Sequence, residues 1–191
     1  MSAPIHLHRA VIICGGIASG KSSLARSIAV RLAYVTVSFG GLVSDSAVER
    51  GVPVSRGALQ ELGAQMISSM GVHSLVQAAL HRAKAADGGD VVIEGVRHPS
   101  VLLELRTIAD LSVSVFLKLD QRRRYERFAL KDTDDPSISR EEFTTFDNHP
   151  VEAETPELEP LADIVIDAAM AAGSVRDQVL EALASRGFFH N

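Results

Sequence analysis

The run Gly15-Gly-Ile-Ala-Ser-Gly-Lys-Ser-Ser23 constrains this chain more than anything else in it, because it meets every fixed position of G-x-x-x-x-G-K-[ST]. Gly15, Gly20, Lys21 and Ser22 fill those positions. Gly16, Ile17, Ala18 and Ser19 lie between them, and Ser23 follows. Upstream, the apolar, β-branched stretch from Arg9 to Cys14 reads as a buried strand. Downstream, Leu24, Ala25, Ile28, Ala29 and Leu32 recur at helical spacing. A glycine loop between a strand and a helix lets backbone N–H groups curl around a phosphate, and the helix N-terminus adds its positive end. On this reading Lys21 reaches the β- and γ-phosphates and the Ser22 hydroxyl ligates Mg²⁺. The bland alternative is a Gly-rich turn that merely joins β to α. The expected ligand is a nucleoside triphosphate, ATP with Mg²⁺.

At 191 residues the chain suits one domain with a sizeable core. A net charge of −5 argues against a broad nucleic-acid footprint. The lone Cys14 excludes an internal disulfide and a cysteine-based metal site, and a small buried hydrophobe is its simplest role. The N-terminal stretch lacks the apolar core of a signal peptide, and no apolar run approaches a bilayer span. The expected location is cytoplasmic, with no membrane partner. The oligomeric state is left open.

Further strands are expected over 35–39, 91–94, 111–119 and 162–167. Between the second and third, a largely helical stretch runs to about Ala86, interrupted at Gly51-Val-Pro53 and near Gly71. His98-Pro-Ser100 opens another helix, Gln121–Lys131 is an Arg-rich one, and Ser139-Arg-Glu-Glu142 fits a capping box. Ser174–Ser185 closes the chain as a helix, and the Pro- and Glu-rich stretch Glu152–Pro160 reads as a mobile connector. Strands alternating with helices predict an α/β fold, a parallel sheet covered on both faces, with ligands at the carboxyl ends of the strands.

Two further groups gather around the loop. Glu94 closes the third strand, where a carboxylate holds Mg²⁺ through water or orients an acceptor, and Arg97 carries the bidentate fork suited to an acceptor phosphate. In Gln121-Arg-Arg-Arg-Tyr-Glu-Arg127, Arg124 and Arg127 share a helix face, as do Arg123 and Arg127. Positive charge at the moving phosphoryl group is the main lever of phosphoryl transfer, and an arginine helix delivers it; the alternative is a solvated face paired with Glu126 or Asp120.

With those residues in view, the chain resembles P-loop kinases of the nucleoside-monophosphate-kinase group. It is similar in particular to dephospho-CoA-kinase-related archaeal proteins and phage deoxynucleoside monophosphate kinases. Beyond the phosphate loop, the likeness rests on Val92-Ile-Glu-Gly-Val-Arg97, with Glu94 for the usual Asp, on Arg124-Tyr-Glu-Arg127, and on Leu161-Ala-Asp-Ile-Val-Ile166. The resemblance implies a three-layer P-loop NTPase fold with a five-stranded parallel sheet in the order 2-3-1-4-5. It implies one domain over 1–191, an acceptor-side helical region about 40–86 and a mobile lid about 122–150. Ser38-Phe-Gly40 and the stretch from Ser55 to Gly63 resemble the acceptor-side helices, which makes Arg56 and Gln60 acceptor-contact candidates. The chain departs from the pattern at Gly41, Ser44 and Lys131.

The leading expectation is an ATP- and Mg²⁺-dependent small-molecule kinase. Its acceptor is a nucleotide-like small molecule, first of all a (deoxy)nucleoside monophosphate. In it, Lys21, Arg97, Arg124 and Arg127 are the catalytic residues; Ser22 and Glu94 hold the metal; and Arg56, Gln60, Glu94 and Arg97 face the acceptor. Two alternatives stand beside it, a nucleotide-gated binding protein or slow ATPase, and a kinase of a hydroxyl acceptor such as dephospho-CoA. For the latter, Asp45 is a candidate base or else a solvated helix residue, and Asp147 matches an acid common in the resembling kinases. Asp132, Asp134 and Asp135 read as a solvated turn, His73, His81, His98 and His149 as surface or helix-end residues, Phe143 and Phe146 as packing, and His190-Asn191 as a frayed end.

Overall fold

The computed structural model describes residues 3–131 and 138–189. The acidic run from Asp132 and the terminal His190-Asn191 lie outside the described residues. Strands β1 (Leu7–Gly15), β2 (Val35–Ser38), β3 (Gly89–Val96), β4 (Ala109–Lys118) and β5 (Ile164–Asp167) form one sheet in the order β2-β3-β1-β4-β5. Every pairing is parallel, so the expected 2-3-1-4-5 arrangement is the observed one.

The central strands explain the near-continuous apolar sequences. Along β1, Ala10, Ile12 and Cys14 face one side and Val11 and Ile13 the other, and all five are fully buried. The first set packs under α2 (Phe39–Glu49), α3 (Arg56–Met70), α4 (Val72–Arg82) and α5 (Pro99–Thr107). The second packs under α1 (Lys21–Leu32) and α9 (Ala172–Ala184). This gives the three-layer α/β/α architecture.

Beyond β4, α6 (Gln121–Lys131) and α7 (Arg140–Asp147) build a small separate cluster in which Phe143 packs on Phe128 and Tyr125. The capping box at α7 is present in both directions: Glu142 N–H donates to Ser139 Oγ, and Ser139 N–H donates to the Glu142 carboxylate. One expectation is corrected here. The stretch Glu152–Pro160 is folded rather than loose: α8 (Pro150–Ala153) and a 3₁₀ turn (Thr155–Leu158) bury Val151, Glu152, Thr155 and Leu158. The signal for it was the His149-Pro150 pair, the same helix opening as His98-Pro99 at α5.

Candidate functional site

The loop between β1 and α1 bends sharply because its glycines permit it. Gly15 sits at φ 138° and Gly20, the N-cap of α1, at φ 102°. A Cβ on Gly15 would stand 2.7 Å from the Leu117 carbonyl, so only glycine fits between the loop and β4. The backbone of Gly15–Ser23 therefore wraps the N-terminus of α1. Lys21 Nζ donates to the Gly16 carbonyl at 2.6 Å, folded back over its own loop. Burial, then the neighbouring Arg97, pulls the Lys21 ammonium down to about 8 from an ordinary 10.5, while Glu152 and Glu94 oppose that shift. Ser19 is buried in the loop, and its hydroxyl has no hydrogen-bond partner among the described residues.

Glu94 ends β3 directly beside this loop. Gly95 follows at φ 86°, where the register of β3 against β1 slips between Ile13 and Cys14, and its Cα side lies against the Gly40 backbone nitrogen. The bulge leaves the Glu94 carboxylate between two hydroxyls. Ser22 donates to Oε2 at 3.1 Å and Ser38 to Oε1, while Ser38 also accepts the Gly41 N–H at 3.0 Å as the N-cap of α2. Ser38 is the residue of this group that sequence reading noted only as part of a likeness. A hydroxyl and a carboxylate side by side are the hard oxygen donors Mg²⁺ takes, with phosphate and water completing its shell. Among the described residues no cluster of three or more His, Cys, Asp or Glu offers an all-protein metal site.

The Arg-rich helix divides by face. Arg122 pairs with Glu126 and Arg123 with Asp120, both exposed, as a solvated face requires. Arg124 turns inward. Asp147 holds it through two hydrogen bonds, its Nε reaches the Leu119 carbonyl at 3.2 Å, and it lies against Gly16. Arg127 also turns inward but reaches the Ser19 carbonyl at 3.2 Å and the Ala168 carbonyl at 2.6 Å. It thereby lines a cleft of about 500 Å³ between the loop, α1 and the segment after β5, with Ser27, Met170 and Gly173.

A second cleft, of about 420 Å³, opens on the other side of Glu94. Phe39, Val43, Leu59, Ile67 and Val101 supply apolar walls, and Arg56, Gln60, Arg97 and His98 supply the polar ones. Arg97 pairs with Glu152 at 2.9 Å. The Arg56 guanidinium stands 5.0 Å over the Phe128 ring, and Gln60 donates to the Phe146 carbonyl at 2.8 Å. Asp45 does not line this cleft: it is exposed and pairs with Arg82 at 2.5 Å, whose hydrogen bond lowers its pKa. Glu152 carried no mark in the sequence, since its partners come from α3 and from the loop after β3.

Sheet order, phosphate loop and flanking clefts together define a P-loop NTPase domain with the kinase topology. Solved structures with this fold include a gluconokinase from Sinorhizobium meliloti 1021, at 19% identity over 92% of this chain and 91% of that one, with a TM-score of 0.60. A sugar kinase from Janibacter sp. HTCC2649 aligns at 16% identity over 96% and 99%, with a TM-score of 0.61. A shikimate kinase from Bacteroides thetaiotaomicron aligns at 15% over 95% and 99%, with a TM-score of 0.58. The chain belongs to the AAA domain family, which matches residues 11–153. No curated protein matches the sequence.

Proposed function

We propose that this protein is an ATP- and Mg²⁺-dependent small-molecule kinase whose acceptor is itself a phosphate ester, most simply a (deoxy)nucleoside monophosphate. One observation carries the acceptor: among the described residues the second cleft is lined by Arg56 and Arg97 and by no carboxylate. A neutral acceptor hydroxyl calls for a base, whereas a phosphate is already an anion near neutral pH and calls for cations. The kinases of similar fold, gluconokinase and shikimate kinase among them, support a small molecule as the acceptor.

In this reading the loop amides of Gly15–Ser23 and Lys21 hold the donor phosphates. The ammonium leaves the Gly16 carbonyl for the β- and γ-oxygens when they arrive. Ser22 and Glu94 would hold Mg²⁺, which when bound neutralises charge between the donor phosphates. Ser38 keeps the Glu94 carboxylate turned toward Ser22. Arg97 and Arg56 grip the acceptor anion, with Gln60 beside them. Arg124, steadied by Asp147 over Gly16, supplies positive charge where the phosphoryl group moves. Arg127 closes the nucleoside end of the donor cleft rather than the transfer point. One domain over 1–191, with α6 and α7 as its lid, is the organisation this assigns. A cytoplasmic setting suits an ATP-dependent reaction.

A second reading, a nucleotide-gated switch or slow ATPase, has one observation in its favour: Arg124 and Arg127 are already partnered without any ligand. The hydroxyl-acceptor kinase is weakened by the outward pairing of Asp45 with Arg82. One experiment separates all three. The protein is incubated with γ-labelled ATP, Mg²⁺ and a panel of nucleoside monophosphates, nucleosides and dephospho-CoA, beside a no-acceptor control. Label on a monophosphate is the expected result. Label on dephospho-CoA or a nucleoside would replace the acceptor class, and acceptor-independent release of phosphate would replace the kinase.

A further inference from the structure

Glu152 is a carboxylate given no role above beyond favouring the charged form of Lys21, and its side chain is only 4% exposed. A buried charge persists only where it is paired and hydrogen-bonded, and Glu152 is both. Its Oε1 takes the Arg97 guanidinium at 2.9 Å and lies 3.4 Å from Gln60 Nε2. That same nitrogen donates to the Phe146 carbonyl at 2.8 Å. Both partners of the Gln60 nitrogen are acceptors, so turning the amide round would set its oxygen against two others. The amide therefore has one orientation. Its own Oε1, buried, finds no hydrogen-bond partner among the described residues.

Arg97 and Gln60 come from the loop after β3 and from α3, far apart in sequence, and both line the second cleft. Glu152 meets both from α8, the first helix after α6 and α7. Loss of the Glu152 charge would leave Arg97 free to swing and the Gln60 amide held by one contact instead of two.

We propose that Glu152 is the positioning residue of the acceptor cleft, holding Arg97 and fixing the orientation of the Gln60 amide before the acceptor arrives. This rests on the reading of the cleft as the acceptor site. Glu152 acts through the two side chains and does not touch the acceptor. The arrangement also narrows the acceptor class, to an anion that Arg97 can grip.

The test compares the wild type with Glu152→Ala and Glu152→Gln. Three quantities are read: the ATP dissociation constant, the KM and kcat for the nucleoside monophosphate that accepts label, and the side-chain NMR signals of Arg97 and Gln60. In Glu152→Ala the acceptor KM is expected to rise about tenfold or more, as for a lost charged hydrogen bond, with ATP affinity changed by about twofold at most when read at about pH 6.5, where Lys21 stays charged. Glu152→Gln, which keeps an oxygen of similar reach, recovers part of the loss. Resolved Arg97 guanidinium signals in the wild type collapse to an averaged one in Glu152→Ala. Unchanged acceptor KM and unchanged signals overturn the proposal. A parallel weakening of ATP and acceptor that tracks a lower melting temperature overturns it too, because a merely structural residue would behave so. A wild type that phosphorylates no monophosphate defeats the monophosphate-acceptor reading alone; the Arg97 and Gln60 signals then still decide whether Glu152 holds them.

Discussion

Asp147 holds the Arg124 guanidinium through both carboxylate oxygens, and that guanidinium stands 2.9 Å from where a Cβ on Gly16 would lie. An acid at the end of α7 thus fixes a cation from α6 over the phosphate loop. Both side chains are nearly buried, at 13% and 11% exposure, so the pair is shielded from solvent screening.

Removing either side of this arrangement should damage catalysis before it damages the fold. Asp147→Ala leaves Arg124 without its anchor and is expected to lower kcat by about 10- to 100-fold, the range for a displaced charge-stabilising group. Gly16→Ala adds a methyl whose three nearest neighbours all belong to the flexible Arg124 side chain, so a smaller loss of about tenfold is expected with the melting temperature nearly unchanged. Steady-state kinetics beside thermal melts check both. Wild-type kcat in Asp147→Ala would remove Arg124 from the mechanism.

Gly15 behaves differently, because its missing Cβ faces backbone. Gly15→Ala combines an unfavourable φ with a 2.7 Å approach to the Leu117 carbonyl. The expected destabilisation is about 3 kcal/mol, a fall of roughly 6–12 °C in melting temperature for a chain of this size. Calorimetry reads it directly, and a melting temperature within a degree of wild type would contradict the fit of the loop against β4.

Glu94→Gln keeps the shape of the side chain but removes the charge, and its NH2 must donate to one of the two serine hydroxyls that donated to the carboxylate. The expected outcome is a loss of about a hundredfold in kcat together with a higher Mg²⁺ requirement, at nearly unchanged affinity for metal-free ATP. Ser38→Ala, which only releases the carboxylate, should cost about tenfold at most. Activity titrated over Mg²⁺, with chelation by EDTA as the zero point, separates the two effects.

Lys21 makes nucleotide binding pH-dependent, and the sign follows from its pKa near 8. Below that pH the ammonium is charged and grips phosphate; above it the free protein has lost the proton. ATP affinity is therefore expected to be level from pH 6.5 to 7.5 and to weaken by up to about tenfold per unit above pH 8. Binding at pH 8.5 should take up a proton, measured by titration calorimetry in buffers of different ionisation enthalpy. Lys21→Arg, which stays charged, should bind without that uptake. For the free protein the same depressed pKa acts the opposite way: burying the cation costs stability below pH 8, and that cost is relieved as pH rises toward 10.5.

The elements that could be read along the chain are those whose signal is local. The β1 run of Ala10 to Cys14 is buried on both faces, so its composition already says parallel sheet, and the Ser139–Glu142 box is a contact three residues long. The inward turn of Arg124 was half visible, since spacing put it on a face with Arg127 but could not say that Arg123 on the same helix would face solvent. The Glu152–Pro160 stretch misled because proline and glutamate are common in loose connectors, while burial of Leu158 and Thr155 depends on β1 and α5, which arrive from elsewhere in the chain. Asp45 could not be judged either, because Arg82, its partner, lies 37 residues away on α4.

The sequence by itself determined the phosphate loop, the alternation of strand and helix, and so the parallel sheet with its ligands at one rim. Those follow from backbone rules that act over a few residues: glycine at positive φ, apolar period, helix caps. Only the tertiary structure decided what stands around the loop. It placed Ser38 on Glu94, Asp147 on Arg124, and Glu152 between Arg97 and Gln60. Each of those pairs joins groups more than twenty residues apart, brought together because buried charges and amides must be satisfied by whatever the packed layers bring within reach.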